Sequence, residues 1–208
     1  MPHSQFKGLP ISQRKAVRRQ KLIQAGIDCY GKSGFFAVTV KEICVAAGLT
    51  ERYFYESFKK SDELFQAIFV QLISELQNNV IQAIEQETQA PKMLRAGLLA
   101  FLSSLYKNPA MARIIYIDAM LVQELHQQAN IRQTMQRFES IVQRLLRALQ
   151  PDFDFNEREF SWLATGINGY VTHIAIRWVM TDFKADLNDV LNSCELGFRQ
   201  FSHQPSRI

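Results

Sequence analysis

Glu51, Arg52, Tyr53 and Tyr55 fall on the outer sides of a short segment whose inner side is formed by Leu49, Phe54 and Phe58. A guanidinium and phenols shown outward at the start of a helix suit DNA. Arg52 and Tyr53, with Thr50 and Glu51 opening the segment, reach toward base edges, which carry sequence information. Tyr55, Thr39 and Lys60 offer hydroxyl and ammonium donors to phosphate oxygens, which do not. An ordinary helical hairpin is the other reading. It gives no reason to expose Arg and Tyr at a helix N-terminus.

Two helices folded about Gly48 must hold those groups. Thr39 and Glu42 make a T-x-x-E capping box, in which the hydroxyl accepts from the third backbone N–H and the carboxylate accepts from the cap's own N–H. The first helix is short, with Ile43, Ala46 and Ala47 as its expected inner face. Gly48 takes the positive φ needed for a sharp turn. Thr50 caps the second helix, where Phe54 and Phe58, four apart, pack back on the first.

From Arg19 to Leu64 the sequence resembles the tetracycline-repressor (TetR) family of bacterial regulators. The resemblance rests on Leu22-Ile23, Ala25-Gly26, Cys29-Tyr30 and Gly34-Phe35, then Ala47-Gly48-Leu49-Thr50, Phe54-Tyr55 and Phe58. Gly26 and Cys44 stand where the family usually has Ala, Ser57 where His is frequent, and Ser61 where Lys usually opens the fourth helix. The last two departures remove expected phosphate donors. The resemblance implies an all-α fold in which the last two helices pair with their symmetry mates as a four-helix dimer bundle.

Charge points the same way without the resemblance. Residues 1–60 hold eleven Lys and Arg against four Asp and Glu, a net +7, so the rest of the chain carries −3 of the overall +4. A basic end on a mildly acidic body is the footprint of a nucleic-acid-binding module carried by something else. A solvated basic tail is the plainer account of Arg14 to Lys21 taken alone.

The 208 residues, 47% of them apolar, suffice for one small and one larger core. Cys29, Cys44 and Cys194 are odd in number, widely spaced and without a C-x-x-C, which argues against a disulfide framework or zinc site and for packing roles. His126 and His173 lack partners at metal spacing, so neither a metal nor a cofactor is expected. No apolar run approaches the ~20 residues of a bilayer span and no signal-peptide core opens the chain, so a cytoplasmic protein with no membrane partner is expected. The chain lacks a G-x-S-x-G elbow, a P-loop, an H-E-x-x-H and a dinucleotide fingerprint, and is read as a non-enzyme.

Beyond Phe58 the pattern is helical throughout. Ser61 opens a helix to about Gln86, with Leu64, Ile68, Leu72 and Leu76 in one stripe. Pro91 and Pro109 suit first turns of helices running to about Tyr106 and Ala119. Helices from about Val122 to Leu149, from the Asn156–Glu159 cap signature to Met180, and from Ala185 to Ser202 complete an all-α chain of about nine helices. The expected division is a helix-turn-helix domain over 1–60 and a helical effector-binding and dimerisation domain over 61–208.

The eighth helix is apolar on more than one side. Phe160, Leu163, Ile167, Val171, Ile174 and Trp178 mark one face, Trp162, Tyr170 and Met180 lie elsewhere, and Gly166 and Gly169 permit close approach. Leu163, Gly166, Ile167, Tyr170, Ile174, Leu191 and Phe198 are the expected dimer contacts; a monomer's core would use the same residues. Phe69, Phe101, Tyr106, Ile115, Asp118, Met120 and Trp162 are the expected lining of an effector cavity, apolar with few polar groups, although ordinary cores read alike. The combined expectation is a homodimeric regulator, a repressor released from double-stranded operator DNA by a small, apolar effector. An effector-free DNA-binding structural protein and an all-helical enzyme are the alternatives.

Overall fold

The structure is a computed structural model that describes residues 10–122, 129–151 and 156–202, with the side chains of 129–132, 134, 135, 201 and 202 excepted. The described residues form nine helices and no strand. They are α1 (Ile11–Ser33), α2 (Val40–Ala47), α3 (Glu51–Tyr55), α4 (Ser61–Glu85), α5 (Ala90–Lys107), α6 (Pro109–Arg113), α7 (Ala129–Leu149), α8 (Glu157–Met180) and α9 (Leu187–Ser202). A 3-10 turn, Phe35–Ala37, follows α1, and α6 continues through a π-helical turn, Ile114–Asp118, and a last α turn, Ala119–Leu121. The sequence predicts a plain α-helix from Pro109 to Ala119. Its π turn is a departure that no local propensity announces.

Two compact units result. The first joins 10–72 to 109–122, and the second joins 73–108 to 129–151 and 156–202. The first unit therefore takes in α6, which the division at residue 60 assigns to the body. Packing explains this: α6 lies so close to α1 that a Cβ on Gly31 would meet the Cα of Ala110 at 2.9 Å. Only glycine permits that approach, and the two residues are too far apart in sequence for periodicity to reveal it.

Within the first unit, Leu22, Ile23, Ile43, Phe54, Phe58, Leu64 and Ile68 make the core. Tyr30, Phe35 and Phe65 pack ring to ring, with centroids 4.8 to 5.7 Å apart. Within the second, α5, α7, α8 and α9 pack around Leu98, Phe101, Leu102, Leu145, Phe160, Ile167 and Leu191. Asn156 caps α8 by accepting from the N–H of Arg158 at 3.0 Å. Asp186 does the same for α9 through the N–H of Asn188 at 2.8 Å, which places that helix start two residues later than the pattern suggests. His126 lies outside the described residues.

Candidate nucleic-acid interface

The capping box is present in full. Thr39 donates its backbone N–H to Glu42 Oε2 at 2.7 Å, its hydroxyl donates to the same oxygen at 2.8 Å, and the hydroxyl accepts from the N–H of Glu42 at 3.3 Å. The Glu42 carboxyl is held below its usual range, chiefly by the Thr39 N–H and then by the hydroxyl. Gly48 closes α2 in the left-handed region, φ 63° and ψ 36°, and its N–H donates to Val45. The inner face of α2 is Ile43 and Cys44 rather than Ile43, Ala46 and Ala47. Ala46 is exposed and Ala47 is half-buried, so the buried contact of α2 is carried by Ile43 and Cys44.

Thr50 occupies the cap position of α3 with extended backbone, but its side chain makes no capping bond. The helix is five residues long and rests on Phe54, with Phe58 just beyond it; their ring centroids are 5.7 Å apart. That apolar seam turns Thr50, Glu51, Arg52 and Tyr55 outward, the Arg52 side chain being 85% exposed. Tyr53 is half-buried because the guanidinium of Arg18 lies over its ring, 4.3 Å from the centroid. Arg19 stacks likewise on Phe58 at 4.8 Å. Lys60 pairs with Asp62 at 3.1 Å. The structure thus gathers Thr50, Glu51, Arg52, Tyr53 and Tyr55 on one short element, with exposed Thr39 and Lys60 each beside an acidic neighbour. Arg18, which the motif reading leaves inside a general basic cluster, is an integral part of this surface.

The expected effector residues divide between the units. Phe69, Ile115 and Asp118 are buried in the first, and Met120 is exposed there. Asp118 is already engaged by Arg113 and by the N–H of Phe35, so it does not stand open to an outside charge. In the second unit Phe101 is buried against Phe138, with ring centroids 6.2 Å apart. Tyr106 is half exposed and stacks on Trp178 at 5.7 Å, with Phe183 edge-on to both. Trp162 is 70% exposed, which removes it from any enclosed lining. Met120, also exposed, stands outside any enclosed lining for the same reason.

The expected dimer contacts also divide. Ile167, Leu191 and Phe198 belong to the protomer's own core, at 0%, 0% and 1% exposure, and cannot face a partner. Leu163 and Ile174 are half-buried, whereas Trp162, Gly166, Gly169 and Met180 are exposed, and Tyr170, partly exposed, leans on α9 and donates its hydroxyl to the Ser193 carbonyl at 3.0 Å. The sequence shows correctly that α8 has two apolar sides, and the structure shows that the larger stripe is the inner one. Cys44 and Cys194 are buried and Cys29 is half-buried, all three as free thiols. Burial, and next the Glu195 carboxylate, push Cys194 up to about 12, so it stays protonated. No helix among the described residues is long and apolar enough to cross a membrane.

A short, outward-facing cationic and hydroxylic helix braced by a capped partner across a left-handed glycine defines a helix-turn-helix DNA-binding protein. The family described as bacterial regulatory proteins, tetR family, matches residues 22–68, so this segment is a helix-turn-helix of the TetR type. The chain is similar to the nucleoid occlusion factor SlmA of Sodalis glossinidius (strain morsitans), 24% identical over 172 residues, covering 82% of this chain and 87% of that protein. The SlmA of Haemophilus influenzae (strain PittGG) is 25% identical over 183 residues, covering 84% and 82%. Among solved structures, the regulator FadR of Bacillus subtilis in complex with stearoyl-CoA shares the fold with a TM-score of 0.73 at 17% identity, over 88% of this chain and 97% of that one. FadR of Bacillus halodurans does so with a TM-score of 0.75 at 16% identity, over 90% and 97%.

Proposed function

We propose that the chain acts as a homodimeric repressor that leaves its operator when a small lipophilic effector binds the body. In this reading residues 1–60 read DNA, and 61–208 carry the effector site and the dimer seam. The observation that carries it is α3 itself, with Arg52 and Tyr55 exposed over the buried Phe54–Phe58 seam, a surface that packing alone does not require. Arg52 and Tyr53 read base edges, helped by Thr50 and Glu51, while Thr39, Tyr55 and Lys60 hold phosphates. A dimer spaces its two copies of α3 about 34–36 Å apart, one duplex turn. The effector favours a conformation that breaks that spacing, and affinity falls by population shift.

In this reading the effector site lies in the second unit, whose buried residues include Phe101 and the amide-bearing Gln77 in an otherwise largely apolar core. Stearoyl-CoA, carried by a regulator of the same fold, supports an acyl compound as the first probe. Operator affinity is measured with and without saturating stearoyl-CoA and free stearate. A typical coupling of about 1–3 kcal/mol predicts a 5–150-fold loss, and DNA must weaken acyl binding by the same factor. The curated relatives named as nucleoid occlusion factors favour a second reading, a DNA-binding protein that organises chromosomal sites without an effector. Unchanged operator affinity across a broad panel of apolar ligands, with many binding sites spread along the chromosome, would select it.

A further inference from the structure

Glu56 holds two arginines at once. Its Oε1 lies 3.3 Å from Nε of Arg52 on α3, and its Oε2 lies 3.6 Å from a terminal guanidinium nitrogen of Arg18 on α1. Arg18 is only 16% exposed and its guanidinium also covers the Tyr53 ring at 4.3 Å. Arg18 therefore joins α1 to both a ring and a carboxylate beside the proposed reading helix. Arg52 is long and otherwise solvated, and such a side chain loses considerable rotamer freedom when it docks.

We propose that Glu56 is a specificity-determining residue of the DNA interface and that Arg18 positions it, an inference that rests on α3 being the reading helix. The physical argument has two parts. A carboxylate on Nε pre-orients the guanidinium, whose two terminal nitrogens carry the donors that a guanine edge accepts. The same negative charge offsets Arg52 and Arg18 against phosphates, which attract cations on every sequence alike. Glu56 thus lowers non-specific binding while sparing, or helping, the base contact. Arg18 fixes the carboxylate from α1, and its flat face keeps Tyr53 beside it.

The test uses the full chain and two probes: a duplex enriched by the wild type from a random-sequence library, and a base-shuffled duplex of the same composition. Glu56→Gln keeps the side-chain shape and removes the charge. It should bind the shuffled duplex more tightly, steepen the salt dependence on it by about one unit per chain, and lower the enriched-to-shuffled ratio about tenfold. Arg18→Lys keeps the charge but loses the flat face. Its affinity for the enriched duplex should fall about threefold while that for the shuffled duplex holds. Thermal melting accompanies each variant, and Arg52→Ala marks the interface.

An unchanged ratio in Glu56→Gln, or an equal rise on both duplexes, overturns the inference. If Arg52→Ala loses the preference while Glu56→Gln keeps it, the inference alone fails. If Arg52→Ala binds both duplexes as the wild type does, or the wild type enriches no sequence, the reading of α3 itself fails.

Discussion

Arg113 and Asp118 face each other across the π turn after α6, Nε to Oδ2 at 3.7 Å, and Asp118 also accepts from the N–H of Phe35 beyond α1. The carboxylate is 3% exposed, and burial raises its pKa above 3.8 even though Arg113 and the Phe35 N–H pull it down. Just above pH 3.8 the folded protein therefore keeps a proton that the unfolded chain has released. This group's favourable term is complete below the unfolded value and is lost as pH rises through the folded one. Asp118→Asn removes the titration. Its stability relative to wild type, from urea unfolding, should rise as the pH is taken upward from the ordinary carboxylate value of 3.8; a fall in that direction would contradict the burial argument. Asp118→Ala should cost about 1–3 kcal/mol throughout, because the Phe35 N–H loses its acceptor.

The capping box and Gly48 together fix how α2 meets α3. Thr39→Ala should destabilise by about 0.5–2 kcal/mol, since the N–H of Glu42 loses its side-chain partner. A Cβ at Gly48 would meet nothing within 4 Å, so Gly48→Ala isolates the cost of a left-handed residue, about 1–2 kcal/mol. Thermal melts of the two single variants and the double variant measure both. A Gly48→Ala protein as stable as wild type would show that the turn has another conformation available.

Arg52 and Lys60 should fail differently on DNA. Arg52→Ala should lose about 1–3 kcal/mol on the best duplex and relax preference at one base position. Lys60→Ala should weaken all duplexes alike and flatten the salt dependence by about one unit per chain. Its pairing with Asp62 at 3.1 Å reduces that gain without abolishing it, because an exposed pair is weak and phosphate competes for the cation. Identical behaviour of the two variants in salt-titrated binding would contradict the division of roles.

What the sequence revealed follows from how local each signal is. Thr39, Glu42 and Gly48 act within ten residues, so residue type alone predicts their geometry, and the long helices follow from periodicity and prolines. Gly31 against Ala110, and Asp118 against Phe35, join segments some eighty residues apart, and nothing local marks them. Helical spacing shows that α8 has two apolar sides but cannot say which one the protomer buries. Ile167 fits a partner contact or the protomer's own core equally well on spacing, and packing encloses it completely. Arg18 was legible as charge and not as a stacking partner, since its role depends on where α1 crosses α3.

The outward side of α8 gives a test of the dimer that avoids damage to the fold. A Cβ at Gly166 or Gly169 would meet no atom of the protomer within 4 Å, so a side chain there is accommodated in one chain and is felt only by a partner. Gly169→Glu should leave the melting curve of the protomer nearly intact, convert a dimer to a monomer in sedimentation, and remove DNA binding with it, because like charges would meet across an isologous interface. Ile167→Glu should behave in the opposite order. It buries a carboxylate where the chain has no room for its hydration, and should unfold the second unit before assembly is at issue. A Gly169→Glu protein that still sediments as a dimer would move the seam away from Trp162, Gly166, Gly169 and Tyr170.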